Sequence, residues 1–169
     1  MKNKNYISVL LLFWSMSAMG QEQPGWQWAH RAGLTQQNHG NSIATDGNGN
    51  SYITGGQISP IAFGNDTLSN SGFFVVKYDP SGNVLWAKSC AGGYGVGTDI
   101  AVDANGNSYI VGNYSSNIIF GSITLLLNGT LNSDIFVVKY DPNGNVLWAR
   151  GAGGLQDENA TSIAIDANG

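Results

Sequence analysis

The chain has 169 residues and a formal net charge of −4, from seven Lys and Arg against eleven Asp and Glu, and it carries 24 glycines and one cysteine. A lone cysteine excludes an internal disulfide framework, and cations this few exclude nucleic acid as a partner, because phosphate binding needs clustered Lys and Arg. Glycine and asparagine between β-branched and aromatic residues, with no 3.6-residue apolar period beyond the first residues, describe short strands joined by tight turns.

Residues 1–20 read as a signal peptide: Lys2 and Lys4 form a basic head, Ile7 to Trp14 an apolar stretch, and Ser17-Ala18-Met19-Gly20 a small-residue cleavage region. Cleavage is expected after Gly20. The apolar stretch falls short of the roughly 20 residues that cross a bilayer, so no membrane insertion is expected after cleavage. Loss of Lys2 and Lys4 leaves five basic and eleven acidic side chains, a net of −6 (5 minus 11). The expected location is secreted, extracellular or on the outer cell surface.

The rest of the chain repeats itself. Trp28, Trp86 and Trp148 recur at separations of 58 and 62 residues (86 minus 28, 148 minus 86). DGNGNSYITGG at Asp46 to Gly56 returns as DANGNSYIVGN at Asp103 to Asn113, and DANG opens again at Asp166. FVVKYDPSGNVLWAK, Phe74 to Lys88, returns as Phe136 to Arg150 with changes only at Ser81/Asn143 and Lys88/Arg150. Between these phrases the copies differ in length, which marks Gly64 to Gly72 and Gly121 to Ser133 as variable loops. The units divide as residues 21–83, 84–145 and a partial 146–169, an amino-terminal fragment of a longer array.

The second copy predicts strands over Thr98 to Val102, Ser108 to Asn113, Asp134 to Tyr140 and Val146 to Arg150, with Ile118 to Leu127 as a further strand or a loop. The turns Asp-Ala-Asn-Gly-Asn (Asp103 to Asn107) and Asp-Pro-Asn-Gly-Asn (Asp141 to Asn145) suit hairpins: Asp accepts from backbone N–H groups ahead of it, and glycine takes the left-handed position. In the FVVKYD strand Phe136, Val138 and Tyr140 form a face that must be buried, while Val137 and Lys139 form one that is partly so. A four-stranded sheet with two apolar faces hides them by stacking on further copies. The fold class is therefore all-β, with antiparallel four-stranded propeller blades repeating about every 60 residues.

No residue is expected to be catalytic. Asp46, Asp79, Asp103, Asp141 and Asp166 share one turn position, so their recurrence already has a structural cause. Asp103, Asn105 and Asn107 carry the alternating oxygens of a calcium loop and are the remaining metal candidates. Ser108 stands where that loop needs glycine and Tyr114 where it needs Glu, with Ser51 and Gln57 in the other copy, so a plain hairpin and no cofactor is the preferred reading. The three tryptophans are expected to pack between blades rather than to stack on sugars. His30, Lys88 and Arg150, two residues after each tryptophan, are expected at a solvent-facing strand end. Cys90 occupies the place of Ala32 and Ala152 as a small packing residue. The glycine runs Ala91 to Gly97 and Gly151 to Gly154 precede strands rather than helices, which makes them connections between blades and not phosphate loops. Asn65-Asp66-Thr67, Asn113-Tyr114-Ser115, Asn128-Gly129-Thr130 and Asn159-Ala160-Thr161 fit the N-glycosylation pattern.

The FVVKYDPNGNVLWA phrase, followed by a glycine-rich stretch and a D-A-N-G-N-S-Y-I-x-G block, resembles the SBBP class of β-propeller repeats of secreted bacterial proteins. The resemblance runs from Trp26 to Gly169, and the Asn-rich style is similar to exported proteins of Bacteroidetes-like bacteria. It implies propellers of about seven blades and brings no catalytic motif. The function expected is a non-catalytic secreted or cell-surface scaffold that binds a protein or glycan through its variable loops. The alternatives are the propeller portion of an extracellular polysaccharide-degrading enzyme, and a structural adhesin or spacer.

Overall fold

Four copies of one turn set the architecture. At Asp46, Asp79, Asp103 and Asp141 the aspartate backbone N–H donates to the carbonyl of the Asn four residues on, and its own carbonyl accepts from the intervening glycine N–H, all at 2.9–3.1 Å. The carboxylate locks the loop from inside: in each copy Oδ1 accepts the backbone N–H groups two and four residues ahead, and Oδ2 accepts the Asn side-chain amide. Gly49, Gly82, Gly106 and Gly144 hold φ between 79° and 85°, a region that side chains rarely adopt.

The computed structural model describes residues 27–33, 37–58, 60–129 and 132–166; the expected leader and Thr130 of one glycosylation pattern lie outside them. The described residues form thirteen strands: β1 Asn38–Thr45, β2 Ser51–Gln57, β3 Ile61–Phe63, β4 Asp66–Leu68, β5 Gly72–Tyr78, β6 Val84–Ser89, β7 Ala91–Gly92, β8 Gly95–Val102, β9 Ser108–Tyr114, β10 Ile118–Phe120, β11 Ile123–Leu125, β12 Asp134–Tyr140 and β13 Val146–Ala152. Two four-stranded sheets carry the repeat, ordered β1-β2-β5-β6 and β8-β9-β12-β13, with every neighbouring pair antiparallel.

The four strands expected from the second copy are present, with β8 starting earlier, at Gly95, and β13 running on to Ala152. The stretch from Ile118 resolves into the β10-β11 hairpin, and blade 1 holds the equivalent hairpin β3-β4. The variable connection is thus variable only in its second half, residues 69–71 against 126–133. The first glycine run is not a free connection either, because Ala91 and Gly92 form β7, which pairs with β10. The sheets run 38–89 and 95–152, so the unit cuts at 83/84 and 145/146 fall in the hairpins between paired strands β5/β6 and β12/β13.

The main core lies between the blades. Phe73 and Val75 of β5 point into a cluster with Ile118, Phe120, Phe136 and Val138 of the second blade. The Phe73 ring meets Phe120 and Phe136 edge-on, at 5.4 and 5.6 Å. The opposite face of the same strand, Phe74, Val76 and Tyr78, forms a smaller cluster with Ile61 and Phe63, against which Trp28 packs. β5 is therefore buried along its whole length, whereas β12 alternates buried and half-buried residues, as the sequence pattern of FVVKYD anticipates for it. A blade covered on both sides buries both faces of its central strands.

Candidate functional site

The tryptophans set the register of one blade on the next. Trp86 Nε1 donates to Pro142 O of the following hairpin at 3.0 Å, and its ring stacks on Tyr140 at 6.2 Å. Trp28 repeats the contact one unit earlier, donating to Pro80 O at 3.1 Å and stacking on Tyr78 at 5.6 Å. The hairpin glycine admits the indole: a Cβ at Gly144 would stand 2.9 Å from the Trp86 ring, and one at Gly82 would stand 2.7 Å from Trp28. The Asp-Pro-x-Gly-Asn phrase is thus both a turn and a socket, and the tryptophans pack between blades.

Lys77 joins the same junction. It is buried, lies 3.9 Å from the Asp46 carboxylate and 4.9 Å above the Tyr52 ring, and donates to Pro142 O at 3.2 Å. Tyr52 completes the link by donating to Gly106 O of the second blade at 3.0 Å. Lys139, Asp103 and Tyr109 repeat the set in blade 2, with an ion pair at 3.8 Å. Burial pushes the carboxyls of Asp46 and Asp103 up, but the hydrogen bonds of the turn outweigh it and hold both below the usual aspartate range. The half-buried face read from the sequence gave no sign of this ion pair. The signal for it was present in the lysine that both copies of FVVKYD retain.

Asp103 is the first member of the calcium candidates, and its oxygens are committed within the turn. Oδ1 accepts Asn105 N and Asn107 N at 3.0 and 2.8 Å, and Oδ2 accepts Asn107 Nδ2 at 2.7 Å. Asn107 meets the carboxylate as a donor through its backbone N–H and side-chain amide, and Asn105 through its backbone N–H. Among the described residues no group of three or more His, Cys, Asp or Glu is placed to hold a metal ion.

One groove lies where the Trp28 segment meets the first blade and another where the first blade meets the second. One, of about 440 Å³, has Tyr78, Gly82 and Val84 as its frame and His30, Arg31 and Asp66 on its rim. The other, of about 430 Å³, has Tyr140, Gly144 and Val146 as the matching frame and Lys88, Ser89 and Ile123 on the matching rim. The frame repeats and the rim does not. His30 lines this groove, its ring 5.6 Å from Trp28, and the short hairpins β3-β4 and β10-β11 contribute the remaining wall.

Asp99 is one of the acids outside the turns that break the repeat. Counting back from the turn aspartates, Asp99 stands where the neighbouring copies have Ser42 and Ser162. It follows the bulge between Gly97 and Asp99 in β8 and ties three successive repeats together. Its Oδ1 accepts Ser42 Oγ at 2.6 Å, and its Oδ2 accepts Ser162 Oγ and Ile163 N, each at 2.9 Å. Burial raises its pKa, and these bonds, with one from Ile100 N, more than reverse that. Aligning the copies on their turns would have exposed this residue.

Residues 27–55 match the SBBP family, described as a beta-propeller repeat. That span crosses a junction, from the Trp28 segment through β1 and its turn into β2. The chain is 28% identical over 132 residues to an uncharacterized WD repeat-containing protein of Acanthamoeba polyphaga mimivirus, a match over 62% of this chain and 9% of that protein. It is 32% identical over 98 residues to the regulatory protein FlaEY of Caulobacter vibrioides, over 56% of this chain and 10% of the relative. The chain therefore spans about a tenth of the length of the curated relatives it matches. Antiparallel four-stranded sheets stacked face to face and carrying this repeat are β-propeller blades.

Proposed function

We propose that the chain is part of a secreted or cell-surface β-propeller scaffold, non-catalytic and without a required metal, that binds a protein partner at its blade junctions. One observation carries the proposal: two grooves share a frame of tyrosine, glycine and valine and differ in every named rim residue. Scaffolds keep what folds and vary what binds. The matches to a WD repeat-containing protein and to a regulatory protein support a repeat scaffold for protein interaction. The basic, apolar and small-residue blocks of residues 1–20 support export, with a mature net charge of −6 on the sequence (5 minus 11).

Two experiments test this. Mass spectrometry of the protein recovered outside the cell is expected to find Gln21 as the first residue, and recovery of the uncleaved chain inside the cell would defeat the export half. Proximity labelling on intact cells, repeated after enzymatic removal of surface glycans, is expected to mark the same protein neighbour both times. Labelling that disappears with the glycans would transfer the site to a carbohydrate partner.

A further inference from the structure

The groove between the first and second blades is walled by β6 on one side and by the β10-β11 hairpin and the β12-β13 turn on the other, and both sheets that bound it have all four strands. Its lining carries a single charged side chain, Lys88. Lys88 leaves β6 on the same face as Trp86, two residues earlier, and crosses to the next blade. A Cβ at Gly144 would stand 2.9 Å from Lys88 Cε and 2.9 Å from the Trp86 ring, which places the ammonium, one bond beyond Cε, at the groove.

This cation is uncommitted. Lys88 is half-buried, yet neither ion pair among the described residues includes it and no side-chain hydrogen bond takes it up. Asp141, on the opposite wall, keeps its carboxylate in its own turn: Oδ1 accepts Asn143 N and Asn145 N, and Oδ2 accepts Asn145 Nδ2. The other basic residues described follow a pattern. Lys77 and Lys139 are held in ion pairs with Asp46 and Asp103. The rest stand just after a repeated tryptophan, Lys88 and Arg150 by two residues and Arg31 by three. Arg31 lines the groove at Trp28 beside His30, which holds the position of Lys88. The free positive charge of an acidic chain is thus gathered on one row of the repeat.

A single unpaired ammonium beside Ile123 and Val146 matches one anionic group on a short aliphatic stem. A phosphate group carries up to about two charges and is held by clustered cations, whereas this groove supplies one. We propose that the groove receives an acidic side chain of the protein partner, a glutamate or aspartate whose carboxylate meets Lys88. The proposal rests on the protein-partner reading above. The excess acid of the chain repels such a segment over a screening length of about 8 Å, so recognition is confined to the row that holds the cations.

The test places a photoreactive residue at Ser122, on the rim of this groove, in the exported protein, and titrates it with blocked tetraglutamate and blocked tetraglutamine. Tetraglutamate is expected to form an adduct saturably and tetraglutamine to form none. Lys88→Gln removes no ion pair of the fold and is expected to melt with the parent while raising the half-saturating concentration about threefold, the scale of a partly exposed ion pair. Lys88→Arg is expected to restore it. Equal adducts from tetraglutamine, or an unchanged concentration in Lys88→Gln, would overturn the proposal. Adducts with tetragalacturonate and none with tetraglutamate would overturn it too, and make the occupant an acidic glycan. On intact cells, a protein adduct at Ser122 undiminished by Lys88→Gln would keep the protein partner and remove its acidic anchor. Tetraglutamate binding with no protein adduct on cells would leave the preference of the groove standing and remove the protein-partner reading instead.

Discussion

Trp86 and Leu85 are neighbours on β6, and replacing each with alanine is expected to cost very different amounts. Trp86 is 8% exposed, sits between Tyr52 and Tyr140, and donates to Pro142 O of the next blade. An indole buries roughly 200 Å², which at about 25 cal/mol per Å² is worth roughly 5 kcal/mol, and the hydrogen bond adds about 1 kcal/mol. Partial collapse of the cavity returns some of this, so Trp86→Ala should lose about 4 kcal/mol, within the span measured for buried tryptophan. Leu85 is 50% exposed on the other face of the strand, so its loss should be about 1 kcal/mol. Urea unfolding followed by circular dichroism measures both. Should Trp86→Ala not fold, Trp86→Phe keeps an aromatic ring and should lose about 1–2 kcal/mol. Losses for the two residues equal to within about 0.5 kcal/mol would refute the socket in the following hairpin.

Acid should weaken the fold in a defined window. The carboxyls of Asp46, Asp99 and Asp103 sit below their unfolded value of 3.8, so their contribution is complete above that value and is lost as pH falls through the lower folded values. The urea midpoint is expected to hold from about pH 7 to 5 and to fall below about pH 4, with Asp99→Asn flattening part of that fall; a midpoint that rises on acidification would contradict the assignment. Cys90 is 1% exposed and burial raises its thiol pKa, so a thiol reagent should label it in denaturant and not in the native protein. Fast native labelling would place it outside the core. A Cβ at Gly112 would stand 2.1 Å from Val96 O and 2.6 Å from the Phe136 ring, so Gly112→Ala should cost about 3 kcal/mol, while at Gly40, whose nearest neighbour is at 3.5 Å, alanine should be nearly neutral. Equal melting temperatures for the two variants would refute the close approach at Gly112.

Local chemistry made the blades legible in the sequence. Asp-x-x-Gly-Asn specifies a hairpin within five residues, and the alternation in FVVKYD specifies which side chains of β12 are buried, so strand order and the inter-blade tryptophans followed. The groups that function across a junction were harder to see. The burial of Lys77 depends on Pro142, 65 residues away, and nothing local distinguishes it from an exposed strand lysine. Asp99 carries no motif, and it stands out only as a departure from Ser42 once the copies are superposed. The β10-β11 hairpin showed in the sequence only as an apolar stretch, a strand or a loop, and β3-β4 did not show at all, because three-residue strands are too short to show a period.

A scaffold that binds through its junction rims is tested most directly by photocrosslinking on the surface of cells that export it. A photoreactive residue placed at Asn65 or at Ser122, on the equivalent rims of the two grooves, is expected to form an adduct with the same protein, while one at Asn48, on an exposed turn away from the grooves, is expected to form none. Adducts from Asn48 alone, or none from either rim, would contradict binding at the junctions.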